Sequence, residues 1–230
     1  MPQTSAWENE YQKPQLVTKK AEPQSDVKEY LRFLRKKGKL ELVGLRILDL
    51  GSGTGRNANF LAELRNTVSG IEISKIAVQI AKQRAGELGV NDRVDYHLQS
   101  MGERYPFEDE IFDVVLDVTS SNSLNEKERG VYLKETARVL KPHGQLFVRA
   151  LCKDGDQNAK NLLKISPGAE YDTYINKDMG LTERVFSEKD FKVTYEPCFQ
   201  IISLEKKTNY ARFKGQSYKR NYWIAYLKKK

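Results

Sequence analysis

The chain has 230 residues, 39% hydrophobic, 30% charged and 10% aromatic, the proportions of a folded globular protein; collagen-like, low-complexity and wholly disordered classes are excluded. A mean hydropathy of −0.65 with no apolar run near the ~20 residues of a membrane span excludes a transmembrane reading. The net charge of +8 belongs to residues 201–230, which hold nine Lys/Arg (Lys206, Lys207, Arg212, Lys214, Lys219, Arg220, Lys228, Lys229, Lys230) against Glu205 alone, so the first 200 residues are neutral.

In chain order, residues 1–24 read as a polar arm broken by Pro2, Pro14 and Pro23. The start has neither the basic residues nor the apolar stretch of a signal peptide, and the two cysteines, Cys152 and Cys198, form no disulfide framework or metal set; a cytosolic compartment is the expectation. Ser25 reads as the cap of a helix ending at Gly38, with Val27, Tyr30, Leu31 and Leu34 at helical spacing. Leu45–Leu50 reads as a first strand, followed by a Gly-rich turn and a helix to Leu64. Thr67–Ile71 and Arg93–Leu98 read as strands around a helix over Ser74–Leu88, capped by Ser74. Ile111–Val118 is the most apolar strand and Gln145–Leu151 the fifth, with a helix over Glu126–Leu140 between them. Such alternation predicts βαβ units and a parallel sheet. Beyond it come a polar loop (Cys152–Asp172), a short helix capped by Ser187, and two strands, Phe199–Leu204 and Tyr222–Leu227, as a terminal hairpin. The expected organisation is an arm or lid over residues 1–24 and one α/β domain over 25–230, with a cofactor-binding half (43–150) and an acceptor side with a basic hairpin (151–230).

The sharpest signal is Ile47-Leu48-Asp49-Leu50-Gly51-Ser52-Gly53-Thr54-Gly55. A strand ending in Asp and running into three glycines spaced by two lets the backbone turn tightly and a ligand approach without a Cβ in the way, and the next helix offers free N–H groups. No Gly-Lys-Ser/Thr follows, which excludes a P-loop. Gly53-x-Gly55-x-x-Ala58 also satisfies a dinucleotide fingerprint, with Glu72 as its ribose acid. That fingerprint starts two residues late after the strand, and a pyrophosphate would be repelled by Asp49. A ligand carrying an ammonium and a sulfonium suits the site instead.

These residues resemble the class I S-adenosylmethionine-dependent methyltransferases, over about residues 43–150. Ile47–Gly55 is similar to the family's first motif, Gly70-Ile71-Glu72-Ile73-Ser74 to its ribose-binding strand end, Phe112–Asp117 to its fourth strand, and Arg138–Gly144 to the approach to its fifth. Ser100, in Gln99-Ser100-Met101, stands where the family usually has the Asp that meets adenine, and offers an uncharged hydroxyl. The resemblance implies a Rossmann-like three-layer sandwich with a mostly parallel seven-stranded sheet, order 3-2-1-4-5-7-6, one strand antiparallel. It also implies S-adenosylmethionine as cofactor, held by Asp49, Gly51, Ser52, Gly53, Gly55, Asn57, Glu72, Ile73, Ser100, Met101, Asp117 and Val118, with no metal.

The acceptor is expected beyond strands four and five, at Asp117-Val118-Thr119-Ser120-Ser121-Asn122-Ser123. Asp117 is the general-base candidate by position; Thr119, Ser120, Asn122, Arg149 and Arg184 are acceptor-binding candidates. Trp7 and Tyr11, four residues apart, resemble the N-terminal lid segment of small-molecule methyltransferases. His97 and His143 read as structural. The expected partner is a small, anionic or aromatic acceptor, with no membrane. An RNA or protein methyltransferase docking through the basic end, a non-catalytic cofactor-binding protein and an NAD-dependent enzyme are the alternatives.

Overall fold

The computed structural model describes residues 3–14, 20–37, 40–213 and 216–230; Pro2, Gly38, Lys214 and the Arg212 side chain lie outside this description. Proline at positions 2 and 14 brackets a segment that forms a helix, α1 (Thr4–Gln12), where the sequence suggested only an arm. Helix α2 (Ser25–Lys36) follows, with Gln24 rather than Ser25 at the cap position. It buries Val27, Tyr30, Leu31 and Leu34, the four residues of the expected apolar stripe.

The βαβ alternation then runs β1 (Arg46–Leu50), α3 (Arg56–Glu63), β2 (Thr67–Glu72), α4 (Lys75–Glu87), β3 (Val94–Leu98), β4 (Phe112–Val118), α5 (Glu126–Val139) and β5 (Leu140–Leu151). Local chemistry sets the helix starts: the Ser74 hydroxyl accepts from the Ala77 amide, and Asn125 forms a capping box with Glu128. β5 begins five residues before its expected start. Its Pro142–Gly144 stretch carries His143 at φ 61°, and the pairing register with β4 shifts between Phe112 and Val114. A bulge of this kind admits a turn-like tripeptide into a strand.

The segment expected as a polar loop holds α6 (Gln157–Ile165), capped by Asp156, and is followed by a separate antiparallel pair, β6 (Thr173–Asn176) and β7 (Leu181–Arg184). After α7 (Glu188–Tyr195), capped by Ser187, come β8 (Phe199–Phe213) and β9 (Gln216–Lys229). The main sheet has the order β3-β2-β1-β4-β5-β9-β8, with β9 antiparallel to both neighbours. Counted within that sheet alone, this is the expected 3-2-1-4-5-7-6.

Alternate residues of the parallel strands feed two cores. Leu48, Val115 and Val148 pack with Tyr132 of α5 and Phe191 and Tyr195 of α7. Ile47, Val114, Leu116 and Phe147 pack on the other face with α2, α3 and α4. Right-handed parallel crossovers place all the βα turns at one end of the sheet, where the Gly-rich bend, the end of β2 and the loops after β4 and β5 meet.

Candidate active site

At that end lies a cavity of about 1030 Å³, walled by the bend after β1, the ends of β2–β5, α1, the segment before α2, and the β6–β7 and β8–β9 hairpins. The bend has Gly51 at φ 65° and Gly53 at φ 54°. Both need glycine for conformation and for space: a Cβ on Gly51 would meet the Ser120 side chain, and one on Gly53 would come within 2.7 Å of the Tyr11 hydroxyl. Gly55, by contrast, is packed beneath the bend against Tyr96, Ala81 and Asn59 and does not line the cavity. Its expected cofactor contact is corrected to a packing role.

Glu72 closes β2 with its carboxylate 4% exposed. One oxygen accepts from the Gly53 amide at 2.8 Å and the other from the Ser74 amide at 2.8 Å, tying the end of β2 to the bend. Burial raises its pKa, and these backbone donors oppose the rise. Each oxygen retains a lone pair for a ligand hydroxyl. Asp49 sits below, 1% exposed, with Oδ2 unpartnered. Burial pushes its pKa up to about 7, against the pull of Arg56 and with the push of Glu72 and Asp117. Ser52, Gly53, Asn57, Ile73, Ser100, Met101 and Val118 line the cavity, whereas Asp49 does not. Asn57 acts through the backbone, its Oδ1 accepting from the Gln24 amide at 2.9 Å and holding the segment before α2. The Ser100 hydroxyl accepts from the Gly102 amide at 3.1 Å.

Asp117 is corrected. Its side chain is fully buried: Oδ1 accepts from the Ser120 and Ser121 amides at 3.0 and 3.1 Å, and Oδ2 from the Tyr132 hydroxyl at 2.9 Å. It lies off the cavity wall, closing the 3-10 turn Ser121–Ser123 instead of meeting an acceptor. Asn122 is likewise structural, its Oδ1 accepting from the Leu151 amide at 3.0 Å. Arg184 makes a bidentate pair with Asp190, at 2.9 and 2.8 Å, and is outside the cavity. Strand-end position alone could not tell these inward-turned polar groups from cavity-facing ones.

Thr119, Ser120 and Arg149 do line the cavity. Arg149 donates from Nε to Asp26 Oδ2 at 3.0 Å and from Nη1 to the Thr119 hydroxyl at 2.6 Å, and lies 3.5 Å from the Tyr222 ring centroid. Trp7 and Tyr11 line the opposite wall, 6.2 Å apart. Their helix is fixed by residues that sequence reasoning missed. Glu8 accepts from the Ser74 hydroxyl and the Lys75 and Ile76 amides at 2.8, 2.8 and 3.2 Å, capping α4 from another helix. Gln3 donates to the carbonyls of Ser123 and Thr182 and accepts from the Thr182 amide. The same cavity also holds Tyr174, Met179, Leu181, Arg220 and Tyr222; of these Met179, Leu181 and Tyr222 were unforeseen, since they come from hairpins with no motif. Among the described residues no cluster of three or more His, Cys, Asp or Glu is arranged for a metal, and no helix is long and apolar enough to cross a membrane.

Residues 47–144 match the family model described as a methyltransferase domain. A ubiquinone biosynthesis O-methyltransferase of Thiobacillus denitrificans is 34% identical over 130 residues, 56% of this chain and 53% of that protein. The matched segments span 36–53% of the length of the first curated relatives. A SAM-dependent methyltransferase from Methanosarcina mazei superposes with a TM-score of 0.72 at 22% identity, covering 84% of this chain and 95% of that one. The [4+2]-cyclase SpnF superposes with a TM-score of 0.66 at 22% identity, covering 89% and 81%. Residues 47–144 therefore match the methyltransferase-domain family, and the chain that carries them has the fold of the solved S-adenosylmethionine-dependent methyltransferases.

Proposed function

We propose that this chain binds S-adenosylmethionine and transfers its methyl group to a small-molecule acceptor. One observation carries the reading: the Gly51–Gly53 bend and Glu72 are hydrogen-bonded into a single cradle at the mouth of a cavity large enough for two ligands. The cradle fits the cofactor. Its glycines leave room that a Cβ would fill, Glu72 keeps acceptor lone pairs for a ribose diol, and the unpartnered Asp49 oxygen supplies negative potential beneath a cationic ligand. Ile73, Ser100 and Met101 would flank the adenine. A dinucleotide reading fits less well: the antiparallel β9 departs from the 3-2-1-4-5-6 dinucleotide order, and a buried carboxylate under the bend opposes a pyrophosphate.

When bound, the cofactor supplies an electrophilic methyl on a sulfonium. The chain's own work is alignment and exclusion of water. The Glu72–Gly53 cradle fixes the donor end, Thr119 and Ser120 orient the acceptor, and α1 with Trp7 and Tyr11 roofs both. Positioning of this kind is worth roughly 7–11 kcal/mol when reacting atoms are held near attack distance. With Asp117 turned inward, no proton acceptor is assigned to it.

Methyl-labelled cofactor incubated with the protein and a cell extract tests the proposal. Label is expected in the small-molecule fraction; label confined to RNA or protein contradicts it. The fold likeness to a [4+2]-cyclase supports a second reading, a protein that keeps the cradle without methyl transfer. Cofactor affinity with no turnover on any acceptor would select that one.

A further inference from the structure

The cavity wall beside the cradle carries two guanidiniums, those of Arg149 and Arg56. Asp26, wholly buried, divides one carboxylate between Arg149 at 3.0 Å and Lys207 at 2.6 Å, and Lys207 turns also to Glu29 at 2.9 Å. Arg56 also lines the cavity; burial first and then the nearby Arg149 charge lower its pKa, against the opposing pull of Asp49 and Glu22. Both guanidiniums thus line the cavity near one another. Arg149 is held rigidly: Nε and Nη1 are engaged and its plane lies on Tyr222, while no hydrogen bond engages Nη2 among the described residues. Desolvated like charges in one wall are stabilised when an anion joins them, and a fixed guanidinium edge suits a carboxylate.

We propose that Arg149, supported by Arg56 and the Thr119 hydroxyl, recognises a carboxylate on the acceptor, so that the substrates are small organic acids. The proposal rests on the methyltransferase reading and names its substrate class. A carboxylate has two sources here, the amino-acid end of the cofactor and the acceptor. Placement favours the acceptor. Arg149 is on β5, two strands from the β1 bend, or about 10 Å along the sheet. It lies against Tyr222, on the cavity that Tyr174 and Met179 also line.

Thermal stability with saturating S-adenosylhomocysteine, at fixed ionic strength, is measured with benzoate and with its neutral isostere benzamide. Benzoate is expected to raise the melting temperature more than benzamide does, and Arg149→Gln to abolish the difference while S-adenosylhomocysteine affinity stays within about twofold. Arg149→Lys keeps the charge that faces Asp26, and so the fold, but loses the planar fork; its benzoate affinity is expected to fall about tenfold. Equal effects of benzoate and benzamide on the unaltered protein would overturn the proposal. So would a loss of S-adenosylhomocysteine affinity in either variant with 5′-methylthioadenosine binding unchanged, because the guanidinium would then serve the cofactor. Failure of the unaltered protein to bind S-adenosylhomocysteine would instead strike the methyltransferase reading itself.

Discussion

Glu72 does two jobs with one carboxylate. It accepts the Gly53 and Ser74 amides, fixing the bend, and it presents its remaining lone pairs to the cavity. Removing it therefore affects both binding and stability. Glu72→Ala is expected to cost about 1.5–3 kcal/mol of S-adenosylhomocysteine affinity, the value of charge-assisted hydrogen bonds, and to lower the urea midpoint because two buried amides lose their acceptor; titration calorimetry and urea unfolding read the two effects separately. Asp49 gives a pH signature. Its pKa is raised from 3.8 to about 7 in the folded chain, so between these values the unfolded chain has shed a proton that the folded one keeps. Its contribution therefore lowers stability progressively as pH rises from 3.8 to about 7 and is constant above. Asp49→Asn is expected to remove that part of the slope, so that the variant gains on the unaltered protein between pH 4 and 7; a constant difference across that range would contradict the assignment. Asp49 and Glu72 were legible because motif spacing fixed them. Asp117 was legible as a polar residue at a strand end but not in its direction, which depends on Tyr132, fifteen residues on, reaching back to it.

Among the elements, those with an apolar period read correctly and those without it did not. The α2 stripe and the β1, β2 and β4 runs show their buried residues in the sequence because those strands are covered on both sides. β8 and β9 extend well past their apolar parts: Lys206, Lys207, Thr208 and Asn209 pair with Trp223, Tyr222, Asn221 and Arg220, and a strand reaching beyond the sheet has little core to alternate toward. α1 is hidden for a related reason. Its anchors are polar, Gln3 at one end and Glu8 against the start of α4, and neither leaves a hydrophobic pattern. These anchors tie the roof to both the cofactor side and the acceptor side. Deleting residues 1–24 is expected to lower methyl transfer strongly, with a smaller effect on cofactor affinity, since closure completes the site and excludes water; full activity in the shortened protein would refute the role of α1 as a lid. Glu8→Ala is the milder test, with an expected loss of about 1 kcal/mol in stability for a helix cap.

For the whole molecule, topology places the chemistry and charge tells against one class of partner. The reversed strand β9 brings Arg220 and Tyr222 back beside the end of β5, so one cavity is walled both by the end of the chain and by the bend after its first strand. The +8 of the terminal segment is partly consumed inside the fold: Lys207 is paired with Asp26 and Glu29, Arg220 with Asp156, and Lys229 with Glu110. Those three side chains are not free to meet a phosphate backbone. Affinity for a single-stranded RNA is expected to be weak, with a salt slope that corresponds to about one phosphate contact or fewer, near −0.7; a slope several times steeper would restore the RNA reading. The central claim, that the Gly51–Gly53 bend and Glu72 form a cradle for the adenosyl cofactor, meets its most direct test in titration of the full chain with S-adenosylhomocysteine. The account predicts saturable binding of one molecule per chain that Glu72→Ala weakens; absence of binding, or affinity unchanged in that variant, would contradict it.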